Sequence, residues 1–181
     1  SLPDPALVTI ARFSEDGDRL ATGDSGGVVR VWDAGTGDLV ATMSGHTGAI
    51  NDLAFSEEGG LLATGSADGT ARLWEANTGR AVSTLTGHFG GVTKVMFLKR
   101  GKRLATGGLD GSVRLWSADE FGPAFEELRT QRLPREASIS AAADSGEYVF
   151  ARLSNGSVLL DGRYYAIGFD GIWSVMLDLD R

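Results

Sequence analysis

ATGSADGTARLW, at residues 63–74, returns almost unchanged as ATGGLDGSVRLW at residues 105–116 and, more loosely, as ATGDSGGVVRVW at residues 21–32. Successive copies begin 42 residues apart. A Gly-His pair repeats with the same period, at residues 45–46 and 87–88. A fixed period of this size is typical of repeat architectures, in which each unit packs on the next. The sequence therefore predicts a series of similar units.

Each unit contains short apolar segments separated by turn signals. In the second unit these segments are residues 49–55, 61–66, 70–74 and 80–85. Asp-Gly and Asn-Thr-Gly sequences between them supply positions that tolerate the positive φ of tight hairpins, so the unit is predicted to be a four-stranded antiparallel meander. Several strands have apolar residues on both faces, and both faces must then be covered. Sheets stacked around an axis meet that demand, which predicts an all-β propeller.

The paired motifs resemble those of the WD-repeat (Trp-Asp repeat) β-propeller family. Gly-His, an Asp-Gly that starts six residues before Trp, and the literal Trp32-Asp33 carry the resemblance over nearly the whole chain. It implies blades of four antiparallel strands, here about four blades plus one extra strand of a partial or truncated propeller. We expect a single WD-repeat region over residues 1–181. Its blades fall at approximately 6–45, 46–87, 88–132 and 133–168, and a further blade starts at 169–181.

The fourth unit lacks the landmarks of the others. Placing Asn155-Gly156 on the turn Asp68-Gly69 gives an offset of 87 residues. The predicted strands of this unit are residues 137–143, 148–153, 157–160 and 163–167, followed by a fifth-unit strand at 172–177. The outer strand of the third unit is predicted near residues 124–128, inside an irregular stretch that is otherwise a long loop or disordered.

The resemblance implies that each complete unit contains a buried chain of hydrogen bonds from indole through hydroxyl and imidazole to carboxylate. The residues of this structural tetrad are His46, Thr64, Asp68 and Trp74, then His88, Thr106, Asp110 and Trp116, with Thr22 and Trp32 in the first unit. The same residue types would suit a catalytic triad, but a triad present twice favours the structural interpretation. In the first unit Gly26 stands at the Asp position and Asp4 at the His position, which predicts a looser blade.

Partners of related propellers often contact the residues three and five after His and the one before Asp. In the two complete units these positions are Ala49, Asn51, Ala67, Gly91, Thr93 and Leu109. The other units give Leu7, Thr9 and Ser25, then Glu136, Ser138 and Ser154. Trp173 is the large aromatic candidate for the same face, although a core role suits it as well.

Composition narrows the function. A net charge of -7 argues against nucleic acid as a partner. The sequence has no run of eighteen consecutive apolar residues, the length that would suggest a membrane span. With no cysteine and both histidines assigned to structure, we expect no metal, no cofactor and no catalytic residues. The predicted function is a cytoplasmic scaffold or regulatory module of a larger intracellular protein that binds a protein or peptide.

Two alternatives stay open. The first is a ligand-binding or catalytic propeller that uses its central channel, for which Asp24, Glu136 and Asp144 are the loose carboxylates. The second is self-association, because a propeller that is not closed exposes strand edges and an apolar blade face.

Overall fold

The computed structural model describes residues 6–98, 103–118, 125–132, 139–144, 149–153, 158–160 and 163–165. Within them the chain forms four antiparallel sheets of four strands each. The first sheet contains β1 (Val8–Phe13), β2 (Arg19–Asp24), β3 (Val29–Asp33) and β4 (Leu39–Met43), and the second contains β5 (Ile50–Phe55), β6 (Leu61–Ser66), β7 (Ala71–Glu75) and β8 (Ala81–Leu85). The third contains β9 (Val92–Leu98), β10 (Arg103–Gly108), β11 (Ser112–Ala118) and β12 (Phe125–Arg132), and the fourth contains β13 (Ile139–Asp144), β14 (Val149–Leu153), β15 (Val158–Leu160) and β16 (Arg163–Tyr165).

The strands of each sheet follow one another in sequence order, as in a meander. The predicted all-β fold with four-stranded antiparallel sheets is thereby confirmed. In the second sheet the strand bounds agree with the prediction to within one residue. The fifth-unit strand predicted at 172–177 lies outside the described residues. Among the described residues, no helix has the length and apolar content needed to cross a membrane.

Two strands differ from the sequence prediction. The outer strand β12 covers eight residues and pairs along the length of β11, so much of the stretch expected to be a loop is ordered strand. In the fourth sheet, Ile139 pairs with Leu153 as Ile50 pairs with Ser66 in the second sheet. The inner strand β13 is therefore displaced by two residues from the offset of 87 that fits the fourth unit's turn.

Neighbouring sheets pack so closely that the second strands of the first and second sheets each require a glycine. A Cβ atom built on Gly23 would lie 2.5 Å from the side chain of Ile50, and one on Gly65 would lie 2.9 Å from that of Val92. Both Ile50 and Val92 are fully buried, within apolar clusters that join the first sheet to the second and the second to the third. The 42-residue repeat thus produces the same contact twice.

Candidate functional site

The structure brings the four tetrad residues of the second sheet into one hydrogen-bonded chain. The indole N–H of Trp74 donates to Thr64 Oγ1 at 3.0 Å, and that oxygen lies 2.7 Å from His46 Nε2. His46 Nδ1 lies 2.8 Å from Asp68 Oδ2. Because an ionised carboxylate can only accept, His46 Nδ1–H is the donor, and Nε2 of the neutral ring accepts the hydroxyl proton of Thr64. Every polar side-chain atom of these four residues then has a hydrogen-bond partner.

The third sheet repeats this arrangement. The indole N–H of Trp116 donates to Thr106 Oγ1 at 3.0 Å, and Thr106 Oγ1 lies 2.8 Å from His88 Nε2. His88 Nδ1 lies 3.1 and 3.2 Å from the two carboxylate oxygens of Asp110. The threonine hydroxyl and the histidine ring are therefore hydrogen-bonded in the same way in both sheets.

The carboxylate at the end of each chain also closes two turns. Asp68 accepts the backbone N–H of Thr47 at 3.0 Å and both the N–H and the hydroxyl of Thr70, at 2.8 and 2.7 Å. It therefore connects the turn that leads into the second sheet with the hairpin between β6 and β7. A residue that holds two turns together in this way acts on the fold of its sheet.

These contacts set the charge states of the site. Burial lowers the pKa of His46 below its usual value, and the neighbouring Asp68 offsets this only in part. Burial would raise the pKa of Asp68, but hydrogen bonds from Thr70, Thr47 and His46 outweigh it and lower the pKa to about 2. The pKa of Asp110 is likewise lowered, because bonds from Ser112, Phe89 and His88 outweigh burial. Both carboxylates are therefore ionised at neutral pH.

The first sheet uses a carboxylate that the sequence analysis assigned to the channel. Trp32 donates to Thr22 Oγ1 at 3.0 Å, as in the other sheets. Asp24, only 1% exposed, accepts the N–H groups of Gly26 and Val28 and pairs with Arg30 at 3.1 Å. The interpretation of Asp24 as an open carboxylate is therefore wrong.

The described residues do not test the other predictions made for the first unit and for the central channel. The looser first blade stays a prediction, and Asp4 lies outside the described residues. Of the remaining channel candidates, Glu136 also lies outside them, and only the backbone of Asp144 is described, at the end of β13.

A catalytic use of the repeated set does not suit its geometry. The Thr64 hydroxyl is fully buried and its proton is already donated to His46, whose ring is also buried. A nucleophile needs access to its substrate and a base to receive its proton, and here the packing of the sheet occupies that space. Among the described residues, no group of three or more His, Cys, Asp or Glu side chains is arranged to hold a metal ion.

Three of the residues predicted to contact a partner, Ser25, Ala67 and Leu109, lie at one end of the first three sheets, which we call the Gly-His face. It comprises the residue after each His, Thr47 and Phe89, and the residues at the β2–β3, β6–β7 and β10–β11 hairpins, Ser25, Ala67 and Leu109. All five are exposed. Ala49 is half-buried and Gly91 is buried at the same end.

The polar candidates on the inner strands are already bonded within the scaffold. Thr9 donates to the carbonyl of Ile50 at 2.6 Å, and Asn51 donates to the carbonyl of Val92 at 2.9 Å, so each joins its own sheet to the next. Thr93 donates to the carbonyl of Gly107 at 3.1 Å, inside its own sheet. Their partner-binding role stays a prediction.

The remaining candidates are Leu7, which is exposed, and four residues outside the described part of the chain. Those four are Glu136, Ser138, Ser154 and Trp173. By the pairing of β13, the position of Thr9 and Asn51 falls on Ser140 in the fourth sheet.

Phe89 is the functional candidate that sequence reasoning missed. The contact positions that the family resemblance implies leave out the residue directly after His, so they did not predict Phe89. A signal was present, because the alignment of the two complete units places Phe89 opposite Thr47. Between two otherwise similar units, an aromatic residue that replaces a small polar one indicates a candidate contact residue.

Comparison with known proteins decides the family. The family described as WD domain, G-beta repeat matches residues 3–33, 37–75 and 79–117, more than half of the chain. The chain belongs to the WD40-repeat family. WD40 repeats are typically non-catalytic and generally mediate protein–protein interaction.

Individual relatives agree with this assignment. An uncharacterized WD repeat-containing protein of Nostoc sp. (strain PCC 7120) is 50% identical over 46 residues, which are 25% of this chain and 3% of that protein. Among solved structures, the computationally designed Ika4 protein matches with a TM-score of 0.73 and 25% identity, over 93% of this chain and 96% of that one. The designed Ika8 protein matches with a TM-score of 0.71 and 28% identity, over 88% of this chain and 48% of that one. The WD40 chain thus spans a small fraction of its Nostoc relative and about half of Ika8.

Proposed function

We propose that this WD40 chain is a non-catalytic scaffold or regulatory module of a larger, cytoplasmic protein, and that it binds protein partners on the Gly-His face. The exposure of Leu109 carries the proposal. This apolar side chain is 74% exposed at a hairpin whose neighbouring polar residues are hydrogen-bonded within the fold. Exposed apolar groups on a rigid frame are typical of interaction sites. The net charge of -7 favours protein over nucleic acid as the partner.

Leu109→Glu is expected to reduce partner binding because it places a charge on that surface. We expect affinity capture from cell extract, quantified by mass spectrometry, to recover partners about tenfold less well, as for the loss of one hot-spot side chain. Leu39→Glu is the matched control, since Leu39 is also an exposed leucine but lies on the outer strand β4. Equal recovery by Leu109→Glu and the unsubstituted chain would contradict the proposal.

The apolar face of the first sheet supports a second candidate, in which a second copy of the chain docks there. Val8 is 42% exposed and Phe13 is 64% exposed. The residues equivalent to Val8 in the next two sheets, Ile50 and Val92, are fully buried by contact with a preceding sheet. The face of the first sheet therefore has the composition of an interface between sheets.

Self-association through this face is expected to raise the molar mass of the chain above 19.0 kDa as its concentration increases. Multi-angle light scattering measures this directly. Phe13→Lys should return the chain to a monomer, because a charge replaces an apolar contact, whereas Leu39→Lys on the outer strand should not. A constant monomer mass at all concentrations would remove this candidate.

A further inference from the structure

Two exposed apolar side chains flank the turn of the third sheet that Asp110 closes. Phe89 is 91% exposed, the highest value among the large apolar side chains of the described residues, and its backbone N–H donates to Asp110 Oδ2 at 3.0 Å. Leu109 directly precedes Asp110, and its Cβ is 3.2 Å from where a Cβ on Gly90 would be. Phe89 and Leu109 therefore border the same small area of the Gly-His face.

The fold itself does not need these apolar residues. The second sheet makes the same backbone contacts with Thr47 and Ala67 at the equivalent positions, and Asp68 accepts the N–H of Thr47 at the same distance of 3.0 Å. A large exposed apolar group that contributes nothing to its sheet costs solubility without stabilising the protein. The pair is thus a feature of the surface of the third sheet and not of its framework.

The charge next to the pair is negative. Asp110 accepts hydrogen bonds from the His88 ring, the Phe89 N–H, and the N–H and hydroxyl of Ser112, and these bonds hold its pKa below the usual value. The apolar pair is therefore bordered by an ionised carboxylate.

We propose that Phe89 and Leu109 form a docking site for a peptide segment that carries an apolar side chain beside a lysine or arginine. This rests on the proposed function and specifies the chemistry of the partner. The apolar side chain of the segment covers the Phe89 ring and Leu109, while its cation lies toward Asp110 and complements that charge. Phe89 supplies a large, rigid contact area with few rotatable bonds, which suits an anchor.

Selection from a phage-displayed library of random dodecapeptides against the immobilised 181-residue chain tests the site. We expect the selected peptides to place Phe, Leu, Met or Trp next to Lys or Arg. A synthetic copy of the leading peptide should bind at least about tenfold more weakly to Phe89→Thr, as expected for the loss of a hot spot. Replacing its basic residue with glutamine should also weaken binding and reduce the dependence on salt.

The variants are matched to the fold of the chain. Phe89→Thr and Leu109→Ala introduce the residues that the second sheet has at these positions, so both variants should keep the circular dichroism spectrum and the unfolding midpoint of the unsubstituted chain. Leu39→Ala is the binding control on the outer strand. Selected peptides that bind Phe89→Thr equally well, or that carry acidic residues instead of basic ones, would overturn this site and leave the proposed function standing. Failure to select any peptide would count against both.

Discussion

Asp68→Ala is expected to lower the free energy of unfolding by about 2 to 4 kcal/mol, as for the loss of a buried hydrogen-bonded network. The substitution leaves His46 Nδ1–H and the N–H groups of Thr47 and Thr70 without their acceptor. It also separates the turn that leads into the second sheet from the hairpin between β6 and β7. Because the packing of Ile50 and Val92 links neighbouring sheets, the loss should affect the first three sheets together.

Urea unfolding followed by tryptophan fluorescence measures this effect, because Trp74 lies in the same network. Asp33→Ala is the control: Asp33 also accepts two turn N–H groups, from Gly35 and Thr36, but is more accessible to water. Its removal should have a clearly smaller effect. If both variants unfold at the same urea concentration as the unsubstituted chain, the buried network does not stabilise the fold.

The same carboxylate gives the stability a defined dependence on pH. The pKa of Asp68 is about 2 in the folded chain, below its usual value of 3.8, so its contribution is present above pH 3.8 and is lost as the pH falls through about 2. The pKa of His46 is also lowered by folding, so its contribution is present above 6.5 and decreases on acidification. Asp68→Ala should therefore flatten the stability profile below pH 3.8, while Asp110 maintains part of the dependence there.

The repeat made the framework predictable from sequence, because identical spacing produces identical pairing. Thr22, Thr64 and Thr106 pair with Arg30, Arg72 and Arg114 in the same register in all three sheets. The spacing could not predict which groups Asp24 bonds to. That carboxylate stands two residues before the expected position, and only the path of the turn brings Gly26 and Val28 within its reach.

Contacts between sheets also could not be predicted from the sequence. Asn51 could be placed on an inner strand, but whether its amide reaches a partner or the carbonyl of Val92 depends on the distance between two sheets. The fourth sheet shows a related limit: without Gly-His or Trp landmarks, the start of β13 at Ile139 could only be extrapolated from a turn further along the chain. Phe89 was visible as an aromatic residue, but its exposure follows from the turn geometry around Asp110.

Gly27→Ala is expected to destabilise the chain by about 2 to 5 kcal/mol, for two separate reasons. Gly27 has φ of +86°, a conformation that costs a residue with a Cβ about 1–2 kcal/mol. A Cβ there would also lie 2.7 Å from the carbonyl oxygen of His46 and 2.9 Å from that of Gly48. Both atoms belong to the backbone, so the first and second sheets would have to move apart, which adds an overpacking cost of about 1–3 kcal/mol.

Gly69 separates these two effects. It has nearly the same φ, +87°, in the equivalent hairpin of the second sheet, but a Cβ there would lie 3.4 Å from the nearest atom, the carbonyl oxygen of Gly90. Gly69→Ala should therefore cost only the conformational part, about 1–2 kcal/mol. Urea unfolding of the two variants side by side measures the difference, which is the cost of separating adjacent sheets. If Gly69→Ala destabilises the chain as much as Gly27→Ala, the backbone conformation alone is responsible, and the close approach between the first and second sheets does not limit what residue 27 can be.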